Sequence, residues 1–380
     1  MDQDAGKSGP ANPFRKSARP GTEPTFERSP EVAIPQPSGA EPSGARPLPV
    51  PPSGDDVRET DFGKELAALF KDKRVHPVFI FGSKGSGKTS LIASMLKYMR
   101  DRVEADATVE LAEWVLPDGE GWWSTSASWS RDLFYRKVLD YLDNVAPRAT
   151  LEEQPFFVPV KLTRRNQEEV LFAFLEGQGE WYQPDLQAEV PFRRFKSFLH
   201  GMLQGFNDKA TVVYIAPFVT ESSMEASHSS HLRESDLGLL GAIDEYSRVR
   251  KAFAHQDHHL FLLTKWDVYC ESVVSPSFLD PRGEEIVAVL RERYPLAWTR
   301  YMNAAFSIEN QNKSYSTYCS GLINGQNIVL AAEGDDENVA FYARKLWDWL
   351  YGNATGGALY PDVRPRPPGL LDRVLKWLRS

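Results

Sequence analysis

The sequence predicts an α/β chain: a doubly wound, mostly parallel sheet with helices on both faces. Three observations lead there. A glycine loop, Gly82-Ser83-Lys84-Gly85-Ser86-Gly87-Lys88-Thr89, stands between an apolar run and a helical repeat. Apolar runs of strand length alternate with longer stretches of helical period along most of the chain. The 380 residues are 42% hydrophobic, enough to build the core that such a sheet requires.

The elements follow in order. Residues 1–58 read as a disordered tail: twelve of the 27 prolines fall between Pro10 and Pro52, among Ser, Gly and charges of both signs. The main domain spans 59–357. It opens on Val78-Phe79-Ile80-Phe81, a buried strand, and after the glycine loop Leu91, Ile92, Met95, Leu96 and Met99 mark one helix face. Residues 104–155 read as a helical and loop insertion, with Trp114, Trp122, Trp123 and Trp129 and a helix around Phe134, Val138, Tyr141, Leu142 and Val145. Phe156 to Leu162 reads as an edge-type strand because it carries Pro159. Val170 to Leu175 is the next strand, Phe192 to Phe206 a helix, Thr211 to Ala216 a strand and Leu237 to Phe253 a helix. Leu260 to Leu263 is a strand, Gly283 to Tyr294 a helix and Tyr315 to Tyr318 a strand. Val339 to Leu350 closes the domain as a helix with Phe341, Leu346, Trp349 and Leu350 apolar. Residues 358–380 are a proline-rich linker and a short amphipathic helix, in which Leu371, Val374, Leu375 and Leu378 share a face that needs a surface to dock on.

The glycine loop fits the pattern G-x-x-x-x-G-K-[ST] with strand before and helix after, which points to a nucleoside triphosphate with magnesium. Gly82, Gly85 and Gly87 let backbone N–H groups turn inward, and the following helix N-terminus adds partial positive charge. The whole loop from Gly82 through Ser83, Lys84, Gly85, Ser86 and Gly87 to Lys88, Thr89 and Ser90 is the expected phosphate cradle. Lys88 reaches the β- and γ-phosphates, and Thr89 holds the metal. A second element chooses the base. Thr264-Lys265-Trp266-Asp267 follows the Leu260 to Leu263 strand, and a carboxylate there can accept from both N1–H and the 2-amino group of guanine. Adenine offers no such donor pair.

On these motifs the chain resembles the P-loop GTPases of the Ras-like (TRAFAC) class over roughly residues 75–352, whose guanine motif is [NT]-K-x-D. The resemblance implies a P-loop GTPase domain binding GTP and Mg²⁺. It sets Glu176 and Gly179 in the places of the family's D-x-x-G, with Glu176 toward the metal and Gly179 toward the γ-phosphate. It places Ser320-Gly321 where a backbone N–H meets guanine O6. It also calls for a switch threonine on magnesium, with Thr150 the first candidate and Thr125 the second. The family's water-orienting glutamine is Glu180 here, with Gln178 inside the motif. Lys84 either supplies charge in cis or points to solvent. Catalytic candidates are thus Lys88, Glu180 and Lys84, and metal candidates Thr89, Glu176 and Thr150. With its aromatic insertion and the closing run Ala343-Arg344-Lys345-Leu346-Trp347-Asp348-Trp349-Leu350, the chain looks most like the bacterial DO-type ("double GTPase") proteins. That resemblance implies a regulatory switch acting through partner proteins, in bacterial signalling or conflict. Two other readings stay open: a nucleotide-stabilised binding or scaffold module with little hydrolysis, and an ATP-dependent P-loop protein.

Charge and composition exclude other classes. The net charge of −8 and a pI near 5.5 argue against general nucleic-acid binding. Cys270 and Cys319 are the only cysteines, no apolar run spans a bilayer, and the N-terminus has no signal-peptide core. The expectation is a cytoplasmic protein with protein partners, a possible homo- or hetero-dimer, touching membrane at most peripherally through 370–379. His255, His258 and His259, and the pair His228 and His231, read as solvated loop rather than metal ligands.

Overall fold

The computed structural model describes residues 54–83, 85–101, 107–111, 136, 156–164, 169–176, 190–219, 226–250, 253–254, 256–273, 282–304, 313–320, 322–324, 327–329 and 336–359. The proline-rich tail before Gly54, most of the insertion and the amphipathic segment 370–379 lie outside the described residues.

Helix α1 (Gly54–Asp72) leads into strand β1 (Val75–Phe81), and the glycine loop joins β1 to α2 (Lys88–Asp101). Strands β2 (Ala107–Leu111), β3 (Phe156–Arg164) and β4 (Glu169–Glu176) follow, then helix α3 (Val190–Gly205) and strand β5 (Thr211–Pro217). Helix α4 (Ala226–Arg250) crosses to β6 (His258–Thr264), which passes at once into α5 (Trp266–Val273). Helices α6 (Gly283–Arg293) and α7 (Pro295–Asn303) precede β7 (Lys313–Tyr318), a small hairpin of β8 (Leu322–Asn324) and β9 (Asn327–Val329), and the closing helix α8 (Asp336–Thr355).

Seven strands form one sheet in the order β2-β3-β4-β1-β5-β6-β7. Pairing is parallel from β4 through β1, β5 and β6 to β7, and β3 runs antiparallel to both β4 and β2. Strands β1, β5 and β6 are buried on both faces and therefore read as continuous apolar runs rather than alternating ones. Alternate residues send their side chains to opposite faces. Phe79 and Phe81 meet Tyr246 of α4, Phe157 meets Phe198 of α3 and Phe70 of α1, and Phe261 meets Trp298 and Tyr301 of α7. Phe172 and Phe174 meet Trp347 of α8, whose indole N–H donates to the Met95 carbonyl of α2 at 2.9 Å. The sheet is doubly wound, with α2 and α8 on one face and α1, α3, α4 and α7 on the other.

Several sequence expectations change. The Phe156 to Leu162 strand is not at the edge, because β2 pairs outside it. That pairing stops at Val160, one residue short of Pro159, so the proline keeps an edge-like side without breaking a ladder. Pro77 in central β1 is tolerated the same way, since pairing with β5 begins only at Val78. Helix α1 takes in residues 54–58, which the composition had assigned to the tail. In α8 the buried aromatics are Tyr342, Trp347 and Tyr351; Trp349 and Phe341 are only half-buried. His258 and His259 do not lie in a solvated loop: they open β6, and His259 is fully buried. Helices α5 and α7 carry little sequence signal, because Thr-Lys-Trp-Asp and Tyr-Pro look like loop sequences on their own.

Helix α1 docks on α3 through glycines. A Cβ on Gly201 would clash with the Thr60 backbone, meeting its carbonyl carbon at 2.7 Å, and a Cβ on Gly205 would lie 2.9 Å from Lys64 Cα. Gly63 is closed in by Gly201 and Met202 in return, at 3.0 and 2.6 Å. Backbones approach this closely only where side chains are absent. By contrast, Gly241 inside α4 has open space around it.

The amino ends of β5 and β6 are held by a buried ion pair. Arg250 at the end of α4 reaches Asp257 through Nε at 2.9 Å and Nη2 at 2.6 Å. The same guanidinium donates to the carbonyls of Leu203 (3.1 Å), Phe206 and Asp208 (2.8 Å). Asp257 also accepts from the Ala210 N–H at 2.9 Å and the Tyr246 hydroxyl at 2.7 Å. Both charges are fully buried, and a pair so buried persists only when its other bonds are made, as they are here.

Two stability outcomes follow from these contacts. Gly201→Ala must push α1 off α3 and should lower stability by about 2 kcal/mol in urea unfolding, whereas Gly241→Ala should raise it by about 0.5–1 kcal/mol. Burial lowers the His259 pKa to about 4 from 6.5, with its bond to the Ala254 carbonyl opposing the shift. Between those values the unfolded chain binds the extra proton, so this contribution is complete above pH 6.5 and is lost as pH falls toward 4. Unfolding free energy measured at pH 7, 5.5 and 4.5 should fall accordingly, by about 3 kcal/mol for this one group at the acid limit.

Candidate nucleotide-binding site

Parallel pairing brings Phe81, Glu176, Pro217, Thr264 and Tyr318 to one edge, the carboxyl ends of β1, β4, β5, β6 and β7. The chain winds to one side from β1 to β4 and to the other from β1 to β5, so a topological switch point lies at the end of β1. The glycine loop occupies it.

The loop's glycines are there for backbone reasons. Gly85 and Gly87 have φ of 71° and 93°, the left-handed region. A Cβ on Gly82 would lie 2.6 Å from the Ser86 hydroxyl and 3.2 Å from the Ile215 carbonyl of β5. The Ser86 N–H closes a turn on the Ser83 carbonyl at 3.2 Å, and the Leu91 N–H bonds Gly87 at 2.8 Å to start α2. Lys88 is buried at the first position of that helix. Its ammonium donates to the carbonyls of Gly82 at 3.0 Å and Ser83 at 3.3 Å. Thr89 and Ser90 are half-buried in the first turn. A cradle of left-handed glycines, an inward lysine and a helix N-terminus fits a phosphate chain.

The Thr-Lys-Trp-Asp segment comes to this loop from far along the chain. The Thr264 hydroxyl, buried at the end of β6, donates to the Ser86 carbonyl at 2.9 Å. Lys265 then adopts φ 57°, one of two described non-glycine residues with positive φ, and turns the chain from strand into helix. Trp266 is fully buried and stacks on Tyr269 with ring centroids 4.3 Å apart. Asp267 is therefore not at a strand end but in the first turn of α5, and it is 6% exposed. Lys265 is exposed by surface area, yet crowding by the packed turn lowers its ammonium pKa, with Asp267 opposing the shift. β7 pairs with β6 so that Tyr318 stands opposite Thr264, which sets Ser320 two residues beyond that pair.

The structure thus gathers Gly82, Ser83, Gly85, Ser86, Gly87, Lys88, Thr89, Ser90, Thr264, Lys265, Asp267 and Ser320 around one edge of the sheet. Glu176 ends β4, the strand beside β1, which places it on the same edge. Lys84, Thr125, Thr150, Gln178, Gly179, Glu180 and Gly321 lie outside the described residues. One contact was not legible in the sequence: the Ser235 hydroxyl of α4 donates to Ser83 Oγ at 2.8 Å, and no motif marks Ser235.

No family model matches the chain, and no curated protein matches it. Among solved structures it is similar to the signal recognition particle receptor SRb-GTP/SRX complex from Chaetomium thermophilum, at 14% identity and a TM-score of 0.35. The match covers 72% of this chain and 96% of that one. A likeness this distant carries no inference about activity. The strand order and the glycine loop at the switch point are those of a doubly wound α/β fold with a P-loop.

Thr264→Val removes the donor to the Ser86 carbonyl while keeping the side chain's volume. It should cost about 1–3 kcal/mol of unfolding free energy, because a buried carbonyl loses its partner. Thermal and urea unfolding of the variant against wild type check this.

Proposed function

We propose that this chain is a GTP-binding and GTP-hydrolysing regulatory switch. The observation that carries the reading is the Thr264 bond to Ser86, because it fixes the Thr-Lys-Trp-Asp segment against the phosphate loop. A nucleotide whose phosphates lie on the loop then has its base beside Lys265 and Asp267. Guanine offers Asp267 two donors, and a buried carboxylate facing adenine would be left desolvated and unpaired. The Lys265 stem would lie along the base, and a backbone N–H at Ser320-Gly321 would meet the guanine oxygen.

Thr89 and Glu176 are the residues that would hold magnesium, with Thr150 closing on it in the triphosphate state. Bound there, the ion would neutralise charge on the β- and γ-phosphates. Lys88 would share that role once it leaves the carbonyls of Gly82 and Ser83. Glu180, standing where a water-orienting glutamine is expected, makes for slow intrinsic turnover, raised by a protein partner or a second copy. In this reading the GTP state orders the segments around Thr150 and Gly179, and hydrolysis releases them. The partners are proteins, and the resemblance to DO-type proteins favours a bacterial signalling or conflict system in the cytoplasm. No helix among the described residues is long and apolar enough to cross a membrane.

The glutamate at position 180 also supports a second reading, a nucleotide-stabilised binding module that barely hydrolyses, since a carboxylate near the γ-phosphate repels it. Steady-state phosphate release separates the two.

The deciding experiment is equilibrium binding of fluorescent GTP and ATP analogues with magnesium to wild type and Asp267→Asn. GTP should bind at least about 100-fold tighter than ATP to wild type. Asp267→Asn should lose that preference and gain binding of xanthosine triphosphate. Equal binding of ATP and GTP to wild type would sink the guanine assignment.

A further inference from the structure

We propose that Ser235 is a positioning residue of the phosphate loop, and that its bond to Ser83 sets how long a bound nucleotide stays. The inference deepens the nucleotide reading above and rests on it. Ser235 sits inside α4, 152 residues along the chain from Ser83, and donates to the Ser83 hydroxyl at 2.8 Å. Ser83 is the junction of the loop. Its carbonyl accepts from the Ser86 N–H at 3.2 Å and from the Lys88 ammonium at 3.3 Å. One residue therefore joins the loop's backbone turn, its lysine and a helix that belongs to neither.

The lysine bond is temporary by its chemistry. A phosphate draws the ammonium away, and the Ser83 carbonyl then loses its charged partner. The bond from Ser235 involves the Ser83 side chain and does not depend on the ammonium. It holds the first turn of the loop while Lys88 swings onto the ligand.

Helix α4 can serve as an anchor because it is fixed at the very next residue. Asp236 is buried and accepts from the N–H groups of Leu296 at 3.1 Å and Ala297 at 2.8 Å, the start of α7. Burial pushes its carboxyl pKa up, and those two N–H bonds pull it back toward the charged form. The same corner is pinned to the sheet, since the Tyr294 hydroxyl donates to the Pro217 carbonyl at the end of β5 at 2.6 Å. Two adjacent residues of one helix thus connect the phosphate loop to the α6–α7 corner.

The test is the dissociation rate of a fluorescent GTP analogue with magnesium from the full chain, by displacement. Ser235→Ala should raise that rate about fivefold, the worth of one neutral hydrogen bond, with the association rate unchanged and the protein still folded by circular dichroism. Ser235→Thr should restore the wild-type rate. Ser83→Ala should give the same rise as Ser235→Ala, and the double variant no more than either alone, because both remove one bond. Unchanged dissociation from Ser235→Ala, or additive effects in the double variant, would overturn the inference and leave the nucleotide reading standing. Wild-type protein that binds neither GTP nor ATP analogues would overturn both.

Discussion

Parallel pairing is the constraint on which the candidate site depends. Because β4, β1, β5, β6 and β7 all run one way, their carboxyl ends share an edge, and the described residues of the candidate site sit on it. A parallel ladder leaves no room for tight turns between neighbours, so each connection must cross a face as a helix or a long loop. Those crossings are α2, α3, α4 and the run from α5 to α7, and α4 and α7 also help to hold the site in place. The loop before α2 receives a hydroxyl from β6 and another from α4, at Ser86 and Ser83. Residues separated by well over a hundred positions meet there because the sheet gives them no alternative.

The opposite edge is held by different physics. At the carboxyl edge the loop is supported by hydroxyls from β6 and α4 and by its own lysine on backbone carbonyls. At the amino edge a fully buried Arg250–Asp257 pair gathers the end of α3, the start of β5 and the start of β6 into one network. Removing either charge would strand the other in a dry interior, so the pair fixes where α4 ends and β6 begins. That register propagates along β6: Thr211 pairs with His258 at the amino end, and Pro217 with Thr264 at the other. The position of Thr264 under Ser86 is thus determined from both ends of its strand.

The loop owes its shape to local backbone chemistry and the frame to its packed core. Gly85 and Gly87 adopt backbone angles that side-chain-bearing residues avoid, and Lys88 rests on the carbonyls of Gly82 and Ser83. The core beneath is aromatic and closely interlocked: Tyr214, Tyr246, Phe79, Phe81 and His259 lie against one another below the loop.

The sequence alone determined the fold class, because strands buried on both faces must be continuous apolar runs and their helices must show a stripe. It also marked the phosphate loop and Thr264 to Asp267, since glycines at left-handed positions and a strand-end Thr-Lys-x-Asp are local chemical requirements. It missed what depends on neighbours. Proline in β3 was read as a sign of an edge, and only the point where β2 stops pairing explains why Pro159 is tolerated further in. Helix α1 has no strong stripe, and its place is set by glycines on α3 that admit its backbone. Asp267 was legible as a residue but not as a helix N-terminal one, a placement that the left-handed turn at Lys265 and the burial of Trp266 decide. Ser235 carries no sequence signal, because a serine gains a role only from the atom placed 2.8 Å from it, and that distance is a property of the packed tertiary structure.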